Sequence, residues 1–174
     1  RGRDIFVASV PMGAAGAGAA FFEMFAAGAQ SIVRFGSDDV AVSVDNLRDV
    51  IVVDRADNLV GMQADSCSDD QQPLCASSQL VAALEARAGA LGCPVRRMIC
   101  HNVEDYHAFN FPSLFADGQG EHIGKRVQAL KAVDPDRMHS WDMETAALFL
   151  RAHQFGLHAA AVLLDASSAW HHRR

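Results

Sequence analysis

The chain lacks the features that would place it on a membrane or on nucleic acid. Its longest apolar stretches, around Ile51 and from Ala159 to Leu164, fall far short of the roughly 20 residues a helix needs to span a bilayer. No run of basic residues is present, and 15 Lys plus Arg stand against 21 Asp plus Glu, for a formal net charge of −6. Such a surface repels a phosphate backbone, which excludes nucleic acid as the expected partner. The four cysteines, Cys67, Cys75, Cys93 and Cys100, form no C-x-x-C pair for zinc, and no signal peptide is recognisable, so reduced thiols in a cytoplasmic protein are expected. Internal repeats and an interdomain linker are also missing. The chain opens at Arg1 without an initiator Met and closes on HHRR, so both ends are expected to be internal to something longer, with N- and C-terminal parts lacking.

What is present suits one globular domain over residues 1–174. Half of the residues are hydrophobic and 21% are charged, a balance that argues against disorder. Asp4–Val10 is an apolar run that Pro11-Met12-Gly13 closes, which predicts a strand and a turn. Phe21, Met24 and Phe25 then recur at three and four residues along 14–27, laying an apolar stripe on a helix that Gly28 ends. Strands are predicted at 31–35, 49–53, 95–100 and 158–165. Helices are predicted from a Ser77 cap to Leu91 and over 141–155. Residues 57–73, polar and aperiodic, read as a long loop. The alternation predicts an α/β fold, a three-layer α/β/α domain with a mostly parallel or mixed central sheet, whose ligands sit at the carboxyl ends of the strands.

Three constellations carry chemistry. Gly13, Gly16 and Gly18 open the first helix, where backbone amides can face an anion or the glycines can simply allow close packing. The order is wrong for a dinucleotide fingerprint, and Asp54 lies about twice too far along to serve as its ribose carboxylate. Arg34 sits inside an apolar strand ahead of Gly36 and Ser37; a guanidinium there needs an anion, either a bound phosphate or a structural partner in Asp38 or Asp39. Asp142, Met143 and Glu144 open the last helix, where two carboxylates either complement the helix dipole or accept hydrogen bonds from a sugar diol. His101, His107, His122 and His139 have no partners at metal-ligand spacing, which predicts solvent-facing positions. Cys100 and His101, as strand neighbours, point to opposite faces.

In order and spacing these segments resemble the nucleoside phosphorylase family of uridine phosphorylases, purine nucleoside phosphorylases and methylthioadenosine nucleosidases, with the uridine phosphorylase-like members nearest. Met12-Gly13 with the helix through Phe21-Phe22-Glu23-Met24-Phe25 to Gly28-Ala29 is similar to the family's glycine turn and "EEL…GA" helix. Ser31 to Ser37 (SIVRFGS) resembles its "I-R-x-G-[ST]" phosphate strand, 49–53 its "GDVVI" strand, and 80–95 its "L…aLG.PV" helix and strand. Asp142 to Leu148 (DMETAAL) is similar to the "EMEtAAL" ribose motif.

The resemblance implies phosphorolysis of uridine or another pyrimidine nucleoside in salvage, giving ribose 1-phosphate and free base. Arg34 and Glu144 would be catalytic. Gly13, Arg34 and Ser37 would hold phosphate, Asp142, Met143 and Glu144 the ribose, and Gln119 the base. Inorganic phosphate would be a co-substrate, with no cofactor and no metal, and the protein would be a homodimer or higher homo-oligomer. Purine phosphorolysis, nucleoside hydrolysis and non-catalytic nucleoside binding are the alternatives. Four residues depart from the pattern: Asp39, with Asp38 beside it, where a second glycine is usual, Asp142 in place of the first Glu of the ribose motif, and Glu121 where the segment that 115–121 resembles, "F-Y-x-x-Q-G-R", carries Arg. Asp38 and Asp39 would either turn outward or weaken phosphate binding.

Overall fold

The computed structural model describes residues 4–40, 50–58, 73–105 and 134–166, with 107, 125, 128, 129, 131 and 132. Among them the order is α1 (Ala14–Ala26), β1 (Ser31–Val40), β2 (Val50–Asn58), β3 (Leu74–Cys75), α2 (Ser78–Ala90), β4 (Val95–Asn102), β5 (Met138–Asp142), α3 (Thr145–Phe155) and β6 (His158–Asp165). This is the predicted α/β class with a mixed sheet. Its strands run in the order β3-β2-β4-β5-β1-β6, and a further antiparallel pairing of β2 with β6 joins the sheet to itself.

Parallel pairing of β2 with β4, β4 with β5 and β1 with β6 leaves successive residues buried at Ile51–Val53, Met98–Cys100 and Ala159–Ala161, which is why these stretches read as continuous apolar runs, whereas Phe35 of β1 and Leu164 of β6 are 74% and 55% exposed. α3 packs on β1, β2, β3, β4 and β6, α1 lies on α3, and α2 packs on β2, β4 and β6. α3 is buried nearly all round, from Thr145 through Leu150, with Leu148, Phe149 and Leu150 at most 1% exposed. In α1 the predicted stripe holds: Phe21 and Phe25 are core residues and Met24 packs against them. Gly156 ends α3 in the left-handed conformation at φ 64°, which costs glycine little.

Two expectations are corrected. Asp4–Val10 is not a strand: Ile5, Phe6 and Val7 are 86, 91 and 97% exposed, because an apolar run becomes a strand only where a neighbouring backbone accepts its hydrogen bonds. The helix predicted over 141–155 starts at Thr145: Trp141 and Asp142 finish β5, and Met143 and Glu144 make the bend between. Asp142 fixes that boundary, because its carboxylate accepts the N–H groups of Glu144 and Thr145, which the first helical turn leaves without partners. Most of the predicted 57–73 loop lies outside the described residues, as does Gln119. No described helix is long and apolar enough to cross a membrane.

Candidate functional site

Residues from three separate segments meet at Arg34. Its guanidinium donates from Nη1 to Asp142 Oδ2 at 2.7 Å and Thr145 Oγ1 at 3.2 Å, and from Nη2 to Glu144 Oε2 at 2.5 Å. The second oxygen of Glu144 accepts the backbone N–H of Gly13 at 2.7 Å, which ties the entry of α1 to the entry of α3. The Thr145 hydroxyl also bonds Asp142. The Arg34 side chain is 9% exposed and that of Asp142 1%, so these are desolvated charges that depend on one another.

Backbone geometry makes the meeting possible. Gly13, at φ 89°, turns the chain into α1 so that its amide faces Glu144. Gly36 lies two residues after Arg34 on the same face of β1, and a β-carbon there would come within 2.7–2.9 Å of the guanidinium. The space that a glycine could offer to a ligand at position 36 belongs to Arg34 itself. Gly16 proves to be a packing glycine, since a β-carbon on it would meet the Pro11 ring carbon Cβ at 2.9 Å.

The sequence left Arg34 between a bound phosphate and a bridge to Asp38 or Asp39. The bridge is corrected: the guanidinium meets Asp142 and Glu144, carboxylates more than a hundred residues away. Asp38 and Asp39 are not turned outward either, being 4% and 7% exposed. Asp38 pairs in register with Asp165 of β6, and Asn102 of β4 pairs with Asp142 of β5, so a polar row crosses four strands beneath Arg34. Burial pushes the Asp38 carboxyl up to about 7; the Ser140 hydroxyl offsets part of that, and Asp142, Asp165 and Asp39 add to it.

Ser37 does not join the cluster. It stands an odd number of residues from Arg34, on the other face of β1, and is exposed. Met143 is half-buried between the two carboxylates. Thr145 was missed by the sequence reading, although its place three residues after Asp142 is the spacing at which a hydroxyl returns to such a carboxylate. Asp54 is occupied by Arg137 at 2.6 Å, so it is an ion-pair residue.

The histidine expectation is corrected for two of its four residues: His101 and His139 are 0% and 4% exposed, and His101 Nε2 lies 2.8 Å from His139 Nδ1. They occupy neighbouring strands 38 residues apart, so no local pattern announces the pair. His107 is exposed as expected, and His122 lies outside the described residues. Cys100 does face away from His101, into the apolar core.

No family model and no curated protein matches the sequence. Among solved structures, the fold is similar to that of the P. knowlesi homologue of P. falciparum PNP, with a TM-score of 0.65 and 18% identity. The likeness covers 87% of this chain and 57% of that one, so the chain spans little more than half the length of its structural neighbour. At that identity the likeness establishes the fold.

Proposed function

We propose that the protein cleaves the N-ribosidic bond of nucleosides by phosphorolysis, with Arg34 holding the phosphate and Glu144 the ribose diol. The observation that carries this reading is the contact of Arg34 Nη2 with Glu144 Oε2 at 2.5 Å, with Gly13 N–H on the other Glu144 oxygen. It brings an anion-binding group and a diol-binding group to one point, where a phosphate oxygen and the sugar carbon it attacks must meet. The resemblance of 31–37 and 142–148 to a phosphate strand and a ribose motif supports the same roles. So does a fold shared with a protein whose description names a PNP, a purine nucleoside phosphorylase.

The oxocarbenium-like centre of such a reaction gains from the Glu144 carboxylate beside the sugar, and Asp142 and Thr145 keep Arg34 aimed. Arg34 carries the phosphate assignment without the Ser37 hydroxyl, and the Gly13 amide, given to phosphate by the resemblance, donates to Glu144 instead. Met143 packs on the sugar face in this reading. Purine and pyrimidine nucleosides stand level as substrates: Gln119, the uridine-reading candidate, lies outside the described residues, and a structure of similar fold is the homologue of a PNP. No cofactor or metal enters the scheme, and we extend it to a cytoplasmic salvage enzyme acting as a homo-oligomer.

One observation favours a second reading. Two carboxylates already engage Arg34, and Asp38 and Asp39 are buried close by, so an incoming phosphate must displace a negative group. Water carries no such penalty, and nucleoside hydrolysis follows if it is the nucleophile. Base release from uridine and from inosine, each measured with and without inorganic phosphate on the intact protein, separates the readings. Phosphate-dependent release is expected; release that ignores phosphate selects hydrolysis, and none with either substrate removes both.

A further inference from the structure

A second buried polar system lies on the other face of β4 and β5 from Arg34. Asp57 of β2 is the register partner of His101, and His101 that of Trp141, so these residues share a face. Their polar atoms form a chain. Asp57 Oδ2 is 3.5 Å from His101 Nδ1, His101 Nε2 is 2.8 Å from His139 Nδ1, and His139 Nε2 is 3.1 Å from the backbone oxygen of Asp134. Arg55 reaches Asp134 at 2.5 Å and Asp57 at 3.4 Å, and Lys131 lies over the Trp141 ring.

Proton counting along this chain has few solutions. A carbonyl oxygen only accepts, so His139 Nε2 carries a hydrogen. A neutral His139 then has a bare Nδ1, which must accept from His101 Nε2–H. A neutral His101 is left with a bare Nδ1, buried and facing the Asp57 carboxylate, lone pair against lone pair. The conflict disappears when one more proton occupies that gap.

We propose that Asp57, His101 and His139 form a proton-holding relay that carries one proton more than an ionised carboxylate and two neutral imidazoles, held between Asp57 Oδ2 and His101 Nδ1. Burial works in the same direction: it raises the Asp57 carboxyl, against the pull of Arg55, and pushes His101 down to about 3, with Arg55 and Lys131 also opposing a positive charge on that ring. Both directions favour a proton on Asp57 Oδ2 over one on His101 Nδ1. Because β5 carries Asp142 on its other face, the relay ties β2, β4 and β5 together directly behind the residue that holds Arg34. It positions that strand end and takes no part in chemistry.

The test is long-range proton–nitrogen NMR of the histidine rings in the full chain. The relay requires both rings to be neutral Nε2–H tautomers at neutral pH, with His101 Nδ1 shifted by a hydrogen bond, and both rings to respond in one step when the proton leaves. A hydrogen on His139 Nδ1, or a His101 bearing only Nδ1–H, overturns it. Asp57→Asn gives an independent readout, because the amide supplies a permanent donor to Nδ1 in the same shape. The folded Asp57 holds its proton longer than the unfolded one, so the wild-type folding constant, relative to D57N, falls by up to tenfold per pH unit from about pH 4 upward. A ratio that stays flat with pH contradicts the stored proton.

Discussion

The Arg34 guanidinium fills the space above Gly36: its Nη2 lies 2.7 Å from where a glycine-to-alanine change would place a β-carbon. The side chain is also fixed by Asp142, Glu144 and Thr145, so it cannot swing aside without losing those bonds. Gly36→Ala should therefore destabilise the fold by about 1–3 kcal/mol, the usual cost of overpacking. Chemical denaturation of G36A, R34A and the double variant checks it. In the double variant the Gly36 penalty should disappear, because its cause is gone.

Removing Arg34 strands two carboxylates. Arg34→Ala leaves Asp142 buried and Glu144 with only the Gly13 amide, and should lower stability by about 3–5 kcal/mol. Arg34→Lys keeps a charge but cannot serve both acids in a fixed fork, so an intermediate loss is expected in the same denaturation series.

Asp38 gives a pH prediction with a definite sign. Its carboxyl is raised from 3.8 to about 7, so the folded state binds the extra proton between those values and stability falls as pH rises through that window. Asp38→Asn mimics the protonated form. The variant should be about 1–3 kcal/mol more stable than wild type at pH 8, with the gain vanishing toward pH 4. Melting temperatures of the two proteins across that range decide it; equal curves would refute the buried proton.

Gly13 has a conformational role, since nothing lies within 4 Å of a β-carbon placed there, yet its φ is 89°. Gly13→Ala should cost about 1–2 kcal/mol through backbone strain alone and should loosen Glu144 by turning its amide partner. Thermal unfolding reads the first effect and ribose-dependent KM the second.

Much of this fold is written locally. The spacing of Phe21, Met24 and Phe25 announces α1, Gly28 turns the chain just past its end, and the run 158–165 is the β6 strand that the structure contains. Apolar content alone misled at Asp4–Val10, where no described strand supplies a partner edge, and at 141–144, where the Asp142 carboxylate delays the helix. Of the residues that cluster at Arg34, the sequence singles out Gly13, Arg34, Asp142 and Glu144: a charge inside an apolar strand is anomalous, whereas acids at a helix start are ordinary and stand out only through the motif they resemble. The mutual pairing of Arg34 with both acids was not legible, since it joins segments 108 and 110 residues apart. The His101–His139 pair was illegible for the same reason.

The central claim is that Arg34 and Glu144 bring phosphate and ribose together. Phosphorus NMR of the intact protein incubated with inorganic phosphate and either inosine or uridine tests it most directly. A ribose 1-phosphate signal is expected with at least one of the two nucleosides, reduced at least 100-fold in rate by Arg34→Ala and by Glu144→Ala, about the loss that follows removal of one such electrostatic contact. No sugar phosphate from either nucleoside, or a signal that survives both substitutions, would contradict the account.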